Sequence, residues 1–193
     1  MTANLEKPTN PLTRIISLLR VGPRGLYLRF YDQFTRKRTG APVWTLSRIR
    51  SFLYVGGQHY SKGWEQIEAE GITGIINMRE THHDDTAQGI GGSAHLHLAT
   101  RDNTPVPLDY LHQAADFIAE HKRLSGRVYV HCGVGVGRAP SAAAAYFIKH
   151  ERMTTAQALD VIRTVRPFIH LTGSQLRQLA LFEQDAHQLY QTN

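Results

Sequence analysis

The sequence predicts an α/β fold, on three observations. Residues 127–148 read RVYVHCGVGVGRAPSAAAAYFI, a β-favouring run, a glycine-rich loop and an alanine-rich helix in succession. Residues 71–78 (GITGIINM) form a β-rich apolar run, the pattern of a buried parallel strand. Residues 109–124 and 154–165 carry apolar side chains at helical spacing. At 193 residues the chain can bury one good core, so one domain with an extension is expected.

The extension comes first. Residues 1–10 are polar. Asn10 can cap a helix with Pro11 in its first turn, and Leu12, Ile15, Ile16 and Leu19 then share a face. Gly22-Pro23 is read as its stop. A second helix is expected over 25–36, with Leu26, Tyr27, Phe30, Tyr31 and Phe34 on one side and Arg36-Lys37-Arg38 at its favourable end. Residues 38–42 read as a linker, so the division expected is 1–43 for a basic amphipathic extension and 44–190 for the folded domain.

Charge supports that division. Residues 1–50 hold ten Lys/Arg against Glu6 and Asp32, a net +8. Residues 51–193 hold twelve against fourteen acids, a net −2. The expectation is that both apolar stripes pack on the domain or on a second copy, with the arginines in solvent. The alternative is an anionic membrane surface met through residues 10–38. No nucleic acid is expected, since the basic segment has no recognition module. No apolar run approaches the length of a membrane span, and no signal-peptide core is seen, which makes a cytoplasmic protein the expectation. Cys132 is the one cysteine, so no internal disulfide is possible.

In the domain, residues 52–56 read as a strand and 62–70 as a short helix, before the apolar strand at 71–78. Residues 81–92 are a polar loop. His82-His83-Asp84-Asp85 within it lacks a further ligand at a recognised spacing, so no metal and no cofactor are expected. His95 and His97 share one side of the next strand. A helix over 109–124 ends at Ser125-Gly126. Thr154 caps the helix that runs to 165, and Arg166-Pro167 breaks it. A last helix from about Ser174 carries Leu176, Leu179, Leu181 and Phe182.

The chemistry concentrates in the loop after the strand at 128–130. Gly133, Gly135 and Gly137 let the backbone fold into a nest whose N–H groups turn inward. The following helix adds free N–H groups and the positive end of its dipole. That field favours a thiolate at Cys132. Arg138 supplies a planar fork matching two phosphate oxygens. A nucleophile and a guanidinium at the two ends of one anion nest describe a phosphate-ester cleaving site. Two other loops are excluded by spacing. The third glycine of a dinucleotide turn is missing, and Gly137 is followed by Arg, not by Lys-Ser/Thr. A sulfurtransferase also places Cys on such a loop, although five residues between Cys132 and Arg138 favour phosphate.

His131-Cys132, five residues and Arg138 resemble the signature of the cysteine-based protein tyrosine and dual-specificity phosphatases. Weaker likeness runs from about Ile49 to about Phe182 and includes Arg166-Pro167 and Gln175-Leu176. The resemblance implies a central, mostly parallel sheet of four or five strands with helices on both faces. It implies a phosphocysteine intermediate and no metal. Cys132 would be the nucleophile, and the amides of 133–137 (Gly133, Val134, Gly135, Val136, Gly137) with Arg138 would bind the phosphoryl group. Asp102, on a loop thirty positions before Cys132, would be the acid and base, and His131 would tune the thiol.

The chain departs from the family at Ala139, where most relatives carry Ser or Thr. That hydroxyl is thought to stabilise the departing thiolate, so slow phosphocysteine hydrolysis is expected, with Ser141 as a partial substitute. Arg138-Ala139-Pro140 also resembles the loop of plant glucan phosphatases. The loop interior lacks the Lys or Arg that phosphoinositide and phosphatidylglycerophosphate phosphatases usually place there. The expected substrate is therefore phosphotyrosine or phosphoserine/threonine protein, with a phospholipid or glucan phosphomonoester as the alternative and a non-catalytic phosphate-binding module as the contrast.

Overall fold

The computed structural model of the chain describes residues 22–80 and 94–189. Five strands form one sheet: β1 (Arg48–Arg50), β2 (Leu53–Gly57), β3 (Gly74–Asn77), β4 (His95–His97) and β5 (Val128–Cys132), in the order β1-β2-β5-β3-β4. β2, β5, β3 and β4 are parallel, and β1 pairs antiparallel at the edge. The helices are α1 (Gly22–Thr39), α2 (Trp64–Ala69), α3 (Leu108–Arg123), α4 (Arg138–Glu151), α5 (Thr155–Val165) and α6 (Gly173–Leu189).

β5 lies at the middle of the sheet, and all five of its residues are buried. Val128, Val130 and Cys132 join the larger core with Ile118 of α3, Phe147 of α4 and Phe182 of α6. Tyr129, pointing the other way, packs with Tyr54, Ile75 and Ile67 of α2, with Trp44 and Trp64 against them. The sheet is therefore covered on both faces, as the phosphatase resemblance implies. α4 is buried from Arg138 to Ile148, and its small residues Ala142–Ala145 let neighbouring elements come close.

Several boundaries differ from the sequence expectation for local reasons. The strand over 52–56 forms at Leu53–Gly57, and the three-residue edge strand β1 is too short to show a period. The short helix splits into a 3-10 turn (Ser61–Gly63) and α2. Thr154 does cap α5, accepting from the Gln157 N–H at 3.3 Å while Gln157 returns a bond to the Thr154 N–H at 2.9 Å. In α6, Leu179 and Phe182 are buried, but Leu176 and Leu181 face solvent. The helix proposed over 10–20 and the His82–Asp85 cluster lie outside the described residues.

The largest correction concerns α1. It starts at Gly22-Pro23, the dipeptide read as a stop, because Pro is tolerated in a first helical turn. Its apolar side does not pack on the domain. Tyr27, Phe30, Tyr31 and Phe34 are 65, 68, 44 and 55% exposed. The inward residues are Gly25, Asp32 and Arg36. Asp32 receives a bond from Arg166 Nη2 at 3.3 Å, both side chains being essentially inaccessible. Arg36 donates through Nη1 to the Gln58 carbonyl at 2.5 Å and lies against Gly57, where any side chain would meet its guanidinium. Charge satisfaction, not apolar burial, decides which face of α1 turns in. Among the described residues no helix is long and apolar enough to cross a membrane.

Removing one partner of a buried ion pair strands the other charge, at a typical cost of about 3–5 kcal/mol. Asp32→Ala is expected to lower the unfolding free energy by about that amount, whereas Phe34→Ser is expected to change it by less than about 1 kcal/mol. Urea denaturation followed by circular dichroism checks both. The reverse ranking would mean that the aromatic face is the buried one.

Candidate active site

Cys132 ends the central strand, so its position is fixed by pairing on both sides, to Gly57 on β2 and through His131 to Asn77 on β3. The backbone then turns so that the Gly135 N–H donates to Cys132 Sγ at 3.3 Å. Gly135 has φ +70°, and a Cβ there would collide with the Gly56 carbonyl and the Gly57 nitrogen. Only glycine meets both demands. That bond seats the sulfur against the loop that leads into α4.

Four of the loop carbonyls have donors from the surrounding structure. Gly133 O accepts from the Gln58 N–H at 3.2 Å, and Val136 O from the His170 N–H at 2.8 Å. Gly137 O accepts from the Ser141 N–H at 2.9 Å and from Ser141 Oγ at 3.0 Å. Gly135 O accepts from Arg166 Nε at 3.2 Å, while Arg166 Nη1 donates to Leu46 O at 2.6 Å. Arg166 thus links the loop to Asp32 and to α1. Arg36 acts nearby through Gln58, whose own side chain receives Arg79 Nη1 at 2.9 Å. Tyr129 donates to Gly57 O at 2.5 Å, and burial pushes its phenol up, so it stays a donor.

Arg138 opens α4 and is almost fully buried. Its Nη1 donates to Thr100 O at 2.7 Å and Met78 O at 3.2 Å, carbonyls just beyond β4 and β3. Two strand ends therefore fix the plane of the guanidinium. The opposite edge, Nε and Nη2, is turned away from these carbonyls, and such an edge has the spacing of two phosphate oxygens. Among the described residues Nε has no hydrogen-bond partner, and Nη2 holds Asp102 Oδ1 at 2.8 Å. Asp102 is 68% exposed on its loop, so it can leave when a dianion arrives. Gln175 Nε2 donates to Thr104 O at 3.0 Å and ties that loop to the start of α6.

The structure thus brings Cys132, Arg138, Asp102 and the amides of 133–137 to one place, at the C-terminal end of the parallel strands. His131 is buried behind the loop, its ring 4.8 Å from His59 and 5.8 Å from Tyr129. Ser141 spends its proton on Gly137 O, so its hydroxyl supports the loop backbone. Ala139 is buried in the first turn of α4. Sequence reasoning missed Asp32 and the inward role of Arg36. It noted Arg166 only as part of a closing phrase. Asp32 and Arg166 stand 134 positions apart, beyond any local pattern. Among the described residues no group of His, Cys, Asp or Glu is arranged to hold a metal ion.

Comparison with known proteins agrees with this geometry. The model of the dual specificity phosphatase catalytic domain matches residues 53–185. Phosphatidylglycerophosphate phosphatase PTPMT1 of Arabidopsis thaliana is 28% identical over 169 residues, covering 85% of this chain and 50% of that protein. Dual specificity protein phosphatase 1 of Mus musculus is 30% identical over 156 residues, covering 79% and 38%. The chain spans half or less of the length of these two relatives. The crystal structure of PTPMT1 superposes with a TM-score of 0.68 at 25% identity, over 76% of this chain and 99% of that one. Human DUSP28, at 21% identity and a TM-score of 0.66, shares the fold.

The Nε–Nη2 edge gives a direct test. Arg138→Lys keeps the charge but loses the fork. Affinity for inorganic phosphate is expected to fall by at least about tenfold, the equivalent of one charge-assisted bond. Isothermal calorimetry on the wild type and the variant checks it, and an unchanged affinity would place the anion elsewhere.

Proposed function

We propose that this chain, which belongs to the dual specificity phosphatase family, hydrolyses phosphomonoesters through a phosphocysteine intermediate. The observation that carries the reading is buried Arg138, held through Nη1 by two strand-end carbonyls, with its Nη2 3.7 Å from where a Cβ on Gly133, the residue after Cys132, would stand. The substrate's phosphoryl oxygens would take the inward N–H groups and displace Asp102 from Nη2. The Cys132 thiolate then attacks phosphorus as the ester P–O bond breaks, and Asp102, protonated, gives its proton to the leaving oxygen. In the second step a water attacks phosphorus, Asp102 takes its proton, and the P–S bond breaks to return thiolate and release inorganic phosphate. No metal is needed for these steps. A reducing, cytoplasmic setting suits a chain whose sole cysteine is the nucleophile.

For substrate, the first reading is phosphorylated tyrosine, serine or threonine in protein, since the loop interior Gly133–Gly137 has no added basic side chain for a multiply charged headgroup. The second reading is a phospholipid phosphomonoester, and one observation favours it. The match to phosphatidylglycerophosphate phosphatase PTPMT1 covers 85% of the chain, more than residues 53–193 contain, so it extends upstream toward α1. A PTPMT1 structure is also known in complex with PI(5)P.

Phosphate release from phosphotyrosine and phosphothreonine peptides, phosphatidylglycerophosphate and phosphorylated glucan ranks these readings. Cys132→Ser is expected to abolish turnover, and Asp102→Ala to lower kcat about 10²–10⁴-fold. Because Ala139 supplies no hydroxyl, a burst of leaving group ahead of slower turnover is expected, with Ala139→Ser shrinking the burst and raising kcat. Turnover untouched by Cys132→Ser would end the phosphocysteine mechanism. No turnover on any substrate, with phosphate still bound, would make this a binding module.

A further inference from the structure

We propose that the outward face of α1 is a docking surface for an anionic phospholipid bilayer. Tyr27, Phe30, Tyr31 and Phe34 recur at three- and four-residue spacing and stand in solvent. Tyr27 stacks on Tyr31 at 6.4 Å and Phe30 on Phe34 at 6.1 Å, two stacked pairs along one exposed side of the helix. The helix cannot roll to bury them. Asp32 and Arg36 hold its other face through the Arg166 pair and the Gln58 carbonyl.

The occupant follows from charge. Exposed Arg24 stands at one end of the strip, and exposed Lys37 and Arg38 stand at the other. Lys62, also exposed, donates to the Lys37 carbonyl at 2.6 Å and adds a cation beside that end. The one acid of α1, Asp32, is neutralised inside by Arg166, so the outward face presents cations and aromatic rings with no carboxylate. Aromatic rings among basic groups suit the headgroup region of an anionic bilayer, where rings enter the interface and cations meet lipid phosphates. A purely apolar partner would leave the cations unpaired. Arg36 contacts the end of β2 that also supports the phosphate loop, so α1 lies at the active-site end of the sheet. A bilayer on this face would bring the site close to lipid or to membrane-bound phosphoprotein. Docking stands on the α1 face alone and holds for either substrate.

Vesicle co-sedimentation of the full chain tests it. The probes are phosphatidylcholine vesicles with and without about one-third phosphatidylglycerol. That lipid carries a phosphodiester, so its capture does not report the phosphatase site. Binding is expected to the anionic vesicles only, and to weaken several-fold as salt rises from about 0.1 M to about 0.5 M. Phe30→Ser with Phe34→Ser is expected to cut the partition coefficient at least about tenfold. Because both rings are exposed, the variant keeps its thermal melt and its turnover of a soluble aryl phosphate. Equal binding to neutral vesicles, or binding indifferent to the two serines, overturns the proposal. So does a dimer in light scattering that the serines dissociate while no vesicle is bound, which would assign the strip to a second copy. A monomer that binds no vesicle overturns it as well.

Discussion

A peptide loop that gathers its N–H groups around an anion must send its carbonyls the other way, and in a buried loop each of those carbonyls needs a donor. Much of this molecule is arranged to supply them. Gln58 serves Gly133, His170 serves Val136, and Ser141 serves Gly137. Arg166 serves Gly135, the residue whose own N–H holds the sulfur. A guanidinium taken that deep requires a counter-charge, and Asp32 on α1 provides it. The chain of need runs from the anion, through the loop, to a helix more than one hundred residues away.

The same logic accounts for α1. Read as an amphipathic helix, it should bury its rings. It buries a carboxylate and a guanidinium because these have fixed partners behind the phosphate loop, and a stranded buried charge costs more than an exposed ring. The aromatic strip is left outside, framed by basic residues. A segment resembling a detachable basic extension is thus bonded, through Arg166, to the loop after Cys132 on one side and presents a charged, ring-rich surface on the other.

Arg138 shows how the fold prepares an anion site. Two carbonyls at the ends of β3 and β4 occupy one edge of its guanidinium, which leaves the other edge aimed at the nest. Asp102 holds that edge from an exposed loop. In the reaction we propose, that one carboxylate would yield the edge to phosphate and then meet the leaving oxygen. The dual specificity phosphatase family and the geometry point to the same reaction.

The sequence alone determined the strand, nest and helix, because strand propensity, glycine and an alanine-rich helix act over a few residues. It also set Cys132 and Arg138 at the two ends of one loop, a separation that decides what they could grip together. Thr154 and the periodicity of α3 and α5 were equally local. The tertiary structure decided the rest. The Arg138 edge depends on Met78 and Thr100, which arrive from other strands. Ser141 was equivocal in sequence, since a hydroxyl in a first turn can face the site or the backbone, and here Gly137 O takes its proton. The orientation of α1 is the clearest case. Its helical period was legible, but which face turned inward rested on Asp32 meeting Arg166, and charge pairing over 134 positions leaves no trace in local periodicity.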